Sequence, residues 1–273
     1  PNIIFIGEVY NPSQYRNFVS SGFDYLYDKV GMYDYVRGCV CHMAPTSDIT
    51  SKWQESEDIW GQMLYFLENH DEQRLASEFF AFDGKKGIPA LVISALLNKN
   101  PFMIYAGQEF GEKGMDSEGF SGRDGRTTIF DYWSPDFLRN GYYNPSKLTK
   151  EQTQLYEIYQ KVLNLANTEK AVSQGDFFDL LYVNQCMSSR QYPFFRKKDN
   201  DLLFVVANFD DNPASCDVFI PKHAIDFLHI TPGKYRANDL ISNYSIDITI
   251  APDSPVHIDI PGFNAVVLKL KLL

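Results

Sequence analysis

The sequence predicts an α/β unit followed by an all-β unit. The first reads as about four βα repeats, the second half of a (β/α)8 barrel, and the second as an antiparallel β-sandwich. Three observations predict this. Short apolar runs followed by helical patterns recur through residues 1–174. Acids and a histidine sit at the C-terminal ends of those runs, where parallel α/β sheets gather functional groups. After Gly175 the apolar period drops to two, and turn residues separate short segments as far as residue 273.

The first run, Ile3-Ile4-Phe5-Ile6, is continuously apolar, as in a parallel strand covered on both faces, and it ends at Gly7-Glu8-Val9-Tyr10. Asn11-Pro12-Ser13 restarts the chain into a helix over 14–20, closed by Gly22. Phe23 to Asp28 is a second strand ending in an acid. Residues 29–62 are mixed, with short helices expected over 30–36 and 56–64 around an irregular loop near 44–47. The third strand, Tyr65-Phe66-Leu67, ends in Glu68-Asn69-His70-Asp71, with Arg74 three residues on.

A helix over 88–97 follows. Ile88, Val92, Ala95 and Leu96 share one face, Pro89 suits the first turn, and Pro101 stops it. The fourth strand is Pro101 to Tyr105, which runs into Ala106-Gly107-Gln108-Glu109. The segment 111–147 is too long for a plain connector. It contains Gly122-Arg123-Asp124-Gly125-Arg126 and Phe130-Asp131-Tyr132-Trp133, and its Arg/Asp pairs and aromatics favour a functional loop. Thr149 and Gln152 form a capping box for a helix whose stripe is Leu155, Ile158, Tyr159, Val162 and Ala166. Strands are then expected over 178–183, 202–207, 217–220, 245–250, 257–260 and 266–272.

Four strand–helix units are half of a closed barrel and fewer than a flavodoxin-like sheet. With a start at Pro1 that enters a strand at once, the expectation is a piece of a longer chain, with one domain over 1–174 and a second over 175–273. Half a barrel leaves an open sheet edge, so the missing N-terminal half or self-association of the piece is expected to cover it.

The net charge of −10 argues against nucleic acid as a partner, which would need a basic face. No apolar run approaches the ~20 residues of a membrane-spanning helix. Four cysteines, at 39, 41, 186 and 216, do not make a disulfide scaffold. Cys39-Val40-Cys41-His42 has the wrong spacing for a zinc knuckle, and no second pair completes it. The compartment is left open.

Glu8, Asp28, His70, Asp71 and Glu109 all fall at strand ends, which a barrel would bring to one face. Such a set could run glycoside hydrolysis, ligate a divalent metal, or cap the following helices. Glu109 reads as supporting structure. The rings of Tyr10, Tyr105 and Trp133 could stack on sugars or pack a core.

Gly7-Glu8-Val9, Phe66-Leu67-Glu68-Asn69-His70-Asp71 and Pro101 to Glu109 resemble, in order and spacing, signature segments of the α-amylase family of glycoside hydrolases. They resemble the ends of its fifth, seventh and eighth barrel strands. The Gly122–Arg126 and Phe130–Trp133 segments are similar to its loop after the eighth strand, and the β unit to its C-terminal domain. The resemblance implies a general acid/base role for Glu8 and a transition-state-stabilising role for Asp71. It implies that His70 binds the same sugar ring; Arg74, just beyond the motif, and the rings of Tyr10 and Tyr105 are expected to contact substrate from their positions beside it. The family's nucleophile and any calcium would belong to a part before Pro1, so this chain alone is expected to be inactive. The implied partners are starch-like α-glucan oligosaccharides, with no cofactor and no metal in this segment. The competing expectation is a non-catalytic, glycan-binding or partner-stabilising relative.

Overall fold

The computed structural model describes residues 3–114, 123–127 and 136–273; Gly122, Trp133 and the rest of the Phe130–Trp133 segment lie outside them. Strands β1 (Ile6–Gly7), β2 (Tyr25–Tyr27), β3 (Met63–Phe66) and β4 (Phe102–Met103) form a parallel sheet in that order. Paired residues fix its two faces. Leu26, Met63 and Tyr65 point to the helices and are buried, while Tyr27, Leu64, Phe66 and Met103 lie on the opposite face. There Tyr33 stacks on Phe66 at 4.7 Å between ring centres. Gly7 allows β1 to close on β2, because a Cβ there would lie 2.9 Å from the side chains of Leu26 and Phe23.

The helices are α1 (Tyr15–Ser20), α2 (Asp34–Val40), α3 (Ser47–Glu55), α4 (Ile88–Leu96), α5 (Asp136–Tyr143), α6 (Lys150–Thr168) and α7 (Lys170–Ser173). Every residue of α4 is buried, because the sheet, α6 and the β unit surround it. The capping box at the start of α6 is formed by Thr149 and Gln152 as the sequence predicts. Two expectations change. A 3-10 turn over Glu57–Gln62 replaces the helix expected at 56–64, and β3 begins earlier, at Met63. The helix α3 fills 47–55, between the loop expected near 44–47 and the helix expected over 56–64, where no element was read. It presents only Ile49 as a buried anchor, too sparse a stripe to show as a period.

Asp28, just after β2, is a buried structural group and not part of a cleft. Its carboxylate accepts backbone N–H groups of Met32 and Gly31, and a Cβ on Gly31 would meet its Oδ1 at 2.0 Å. Burial raises its pKa from 3.8 to about 6. Between those values the folded state holds a proton that the unfolded chain releases, so stability falls as pH rises through this window. Asp28→Asn is therefore expected to stabilise the fold at pH 7.5 by about 1–3 kcal/mol, with the gain fading towards pH 4. Urea denaturation at the two pH values checks this; an equal gain at both would refute it.

The β unit contains β5 (Asp176–Asp179), β6 (Gln191–Lys198), β7 (Asp201–Asn208), β8 (Ala214–Ile220), β9 (Gly233–Asp239), β10 (Ser245–Ile250), β11 (Ser254–Ile260) and β12 (Asn264–Leu272), with α8 (Lys222–Leu228) after β8. The sheet order is β10-β9-β12-β7-β6-β5, and β11 pairs separately with β8. All these pairings are antiparallel. Strands β6 and β9 and helix α8 are not legible in the sequence. Pro193 interrupts the first, at a position beyond the reach of β5, and Lys234, Arg236 and Asn238 make the second polar on its outer face.

The core runs continuously from the parallel sheet into the β unit, with α4 packed against β7 and β12. At this junction the buried Arg196 guanidinium donates to the carbonyls of Leu97, Ala171, Val172 and Gly175. Among the described residues no helix is long and apolar enough to cross a membrane.

Candidate active site

Two strand ends build the site. Glu8 follows β1 directly and is exposed. His70 and Asp71 follow β3 after a buried stretch, Leu67 to Asn69, which anchors the turn. Asn69 Oδ1 accepts the N–H groups of Asp71 (3.0 Å) and Glu72 (2.9 Å), a local turn that throws His70 and Asp71 outward. Glu72 is tied back to Lys29 at 3.2 Å, Arg37 at 3.5 Å and the Tyr33 hydroxyl at 3.1 Å. The Arg37 guanidinium lies 4.3 Å over the Phe80 ring and donates to the Phe79 carbonyl. The loop is thus held on both sides of its turn.

The structure brings Glu8, Tyr10, His70 and Asp71 together. His70 Nε2 is 3.5 Å from Asp71 Oδ2, and both side chains are more than one-third exposed. The Tyr10 hydroxyl donates to Glu8 Oε1 at 2.5 Å and reaches Asp71 Oδ2 at 3.4 Å. Burial, then the bond to Glu8, pushes the Tyr10 phenol above its ordinary range, so it stays a proton donor at neutral pH. Half of Tyr10 remains exposed, which leaves a ring face to offer to a ligand. One ligand atom each from Glu8, His70 and Asp71 lies within 4.8 Å of the others. Such a set could hold a cation or grip polar ligand groups.

Other sequence-derived candidates lie elsewhere. Arg74 is 1% exposed; its Nη1 is paired with Glu68 Oε2 at 2.9 Å, and its Nε donates to Thr127 Oγ1 at 2.7 Å. Its guanidinium lies 4.1 Å over the Tyr105 ring, so the two serve each other, and Arg74 has no free donor face at the surface. The expectation that Arg74 binds sugar is corrected on this ground: burial commits it to Glu68. Tyr105 is half-buried beneath it. Glu109 is buried, accepting Tyr142 Oη at 2.7 Å and the Gly107 N–H at 3.0 Å. It therefore cannot join His70 and Asp71 in a metal set. His42 Nε2 bonds the Phe209 carbonyl, and the thiols of Cys39 and Cys41 face the carbonyls of Pro45 and Phe80, so that stretch does not converge on a metal either. A groove of about 1070 Å³ between α6 and the β unit contains none of the site residues.

Sequence reasoning singled out the Gly122–Arg126 segment without giving its residues roles. Arg126 Nε donates to the Asp71 carbonyl at 2.5 Å, and its Nη1 pairs with Asp124 at 2.9 Å. The paired Arg and Asp in that motif were the available signal.

Comparison with solved structures shows the fold. The chain overlays a maltogenic α-amylase, AmyB, from Thermotoga neapolitana over 100% of its own length and 56% of that chain, with a TM-score of 0.68 at 15% identity. For the Geobacillus thermoleovorans α-amylase solved with acarbose, the values are 98%, 53%, 0.71 and 14%. For AmyP solved with maltose they are 98%, 55%, 0.72 and 14%. The chain spans about half the length of these structures. No protein-family model matches it, and no curated protein does.

Proposed function

We propose that this chain is the acid-bearing and sugar-gripping part of a retaining α-glucan hydrolase or transglycosylase of the α-amylase type. The observation that carries the reading is the convergence of Glu8, His70 and Asp71 from two parallel strand ends. The fold shared with amylases over half their length supports it, as do the maltose and acarbose that those proteins bind. Glu8 protonates the leaving glycosidic oxygen and later takes the proton from water. Asp71, with His70, accepts and donates hydrogen bonds to ring hydroxyls and offsets the positive charge that develops at the sugar carbon. The nucleophilic carboxylate comes from a segment outside this chain, so residues 1–273 alone are inactive. No cofactor enters these steps, and any calcium is held outside this chain.

The apolar side chains at β1 support a covering partner. Ile3, Ile4, Phe5 and Ile6 are 73%, 62%, 55% and 50% exposed. The complementary part of the barrel, or a second copy of this chain, would cover them.

The test assays maltotriose and longer maltooligosaccharides with this chain and with the longer protein, following the product anomer by proton NMR. The longer protein should release α-configured product, and the isolated chain none. Turnover by the chain alone would make Asp71 the nucleophile. A longer protein that binds these sugars without cleaving any would establish the non-catalytic reading.

A further inference from the structure

We infer that residues 123–127 form a latch that sets the position of His70 and Asp71, with Arg126 as its positioning residue. The inference rests on the proposed function only for what the latch positions.

The turn that carries Asp71 is fixed at both ends of its peptide units. Its N–H is taken by Asn69 Oδ1 from within the loop, but its carbonyl is taken by Arg126 Nε from a segment 55 residues away. A carbonyl held by a guanidinium fixes the plane of the 71–72 peptide, and with it the direction in which the Asp71 side chain leaves the backbone. Arg126 is itself held. Asp124 Oδ2 accepts from its Nη1 at 2.9 Å, and Asp124 Oδ1 accepts its backbone N–H at 3.1 Å. One acid thus orients both the main chain and the side chain of Arg126.

Two more bonds join the same short segment to the same loop. The Arg74 N–H donates to the Gly125 carbonyl at 2.7 Å, and Arg74 Nε donates to Thr127 Oγ1 at 2.7 Å. Three consecutive residues, 125 to 127, therefore each bond the 71–74 stretch. Gly125 is what permits the approach. It has φ +80°, and a Cβ on it would lie 2.6 Å from Ser77 Oγ and 3.0 Å from the Phe79 ring. The segment after β4 thus acts on a site built by β1 and β3 through the main chain of Asp71. Arg74 is the link: buried against Glu68, it gives the latch a rigid anchor.

Hydrogen–deuterium exchange on the 273-residue chain tests the latch without requiring turnover. Arg126→Gln should speed exchange of amides 70–77 at least tenfold while strands β6 and β7 keep wild-type rates. Arg126→Lys, which can still donate to the Asp71 carbonyl, should restore part of the protection. Gly125→Ala keeps the guanidinium but blocks the approach, and should reproduce the Arg126→Gln effect. Wild-type rates over 70–77 in both Arg126→Gln and Gly125→Ala would overturn the inference, as would equal acceleration throughout the β unit. Maltotriose, titrated into the same samples and followed by the His70 ring signals, tests the sugar reading separately. Its failure to bind wild-type chain would count against the proposed function, while the exchange pattern alone decides the latch.

Discussion

Glu8→Gln, made in the protein that also carries the nucleophile, is expected to cut kcat on maltotriose by about a hundred- to ten-thousand-fold, the range that one general acid contributes. The amide matches the carboxylate in shape, and its oxygen still accepts the Tyr10 hydroxyl, which holds Glu8 at 2.5 Å. The cluster should therefore stay in place and KM should change little. What disappears is the proton for the leaving oxygen. A substrate whose leaving group needs no proton separates this from a structural fault. With α-glucosyl fluoride the first step should recover most of its rate, seen as a burst of fluoride before a slow second step. His70→Ala should behave differently, raising KM for maltotriose with a smaller fall in kcat, because it removes a ligand contact and leaves the proton donor. Near-normal turnover of maltotriose by Glu8→Gln, or an equal loss on the fluoride, would remove Glu8 from the acid role.

The sequence carried more of this site than of the fold around it. Glu8, His70 and Asp71 were legible because each stands where an apolar run turns ionisable, and a parallel sheet brings such ends to one edge. The strands β1 to β4 were legible for the same reason, although only their most apolar residues show. The α6 start was written in Thr149 and Gln152. Four kinds of feature stayed hidden. Helix α3 and strand β9 get their stability from neighbours instead of their own period, so local pattern gives no sign of them. Arg74 looked like a site residue because an arginine beside Asn-His-Asp is cationic and close in sequence. Nothing local reveals that Glu68, six residues earlier, takes it into the interior. The Asp71–Arg126 bond spans 55 residues, a distance across which sequence spacing carries no geometry. Tyr10 was read for its ring, and its hydroxyl turned out to face the two carboxylates.

Arg74→Met is expected to be the most damaging single change to stability in the α/β unit, costing about 3–5 kcal/mol at pH 7.5, as when one partner of a buried ion pair is removed. Glu68 and Arg74 are both within 2% of full burial, and Glu68 also accepts the Leu75 N–H at 2.8 Å. Without the guanidinium, the carboxylate would keep that single N–H and lose its counter-charge. Burial already pushes the Glu68 carboxyl above its ordinary range, and Arg74 is the main force opposing the shift. Removing Arg74 pushes it further the same way. A group with a raised folded pKa gives stability that is present at low pH and lost as pH rises, so the Arg74→Met deficit should shrink on going from pH 7.5 to pH 5. The double variant Glu68→Gln/Arg74→Met keeps an acceptor for Leu75 and removes the stranded charge. It should be more stable than Arg74→Met alone at pH 7.5, and less sensitive to pH. Urea midpoints for the two variants at both pH values decide the matter. A loss below about 1 kcal/mol, or one independent of pH, would mean that water reaches Glu68 and that the pair does not sit in the dry interior the structure gives it.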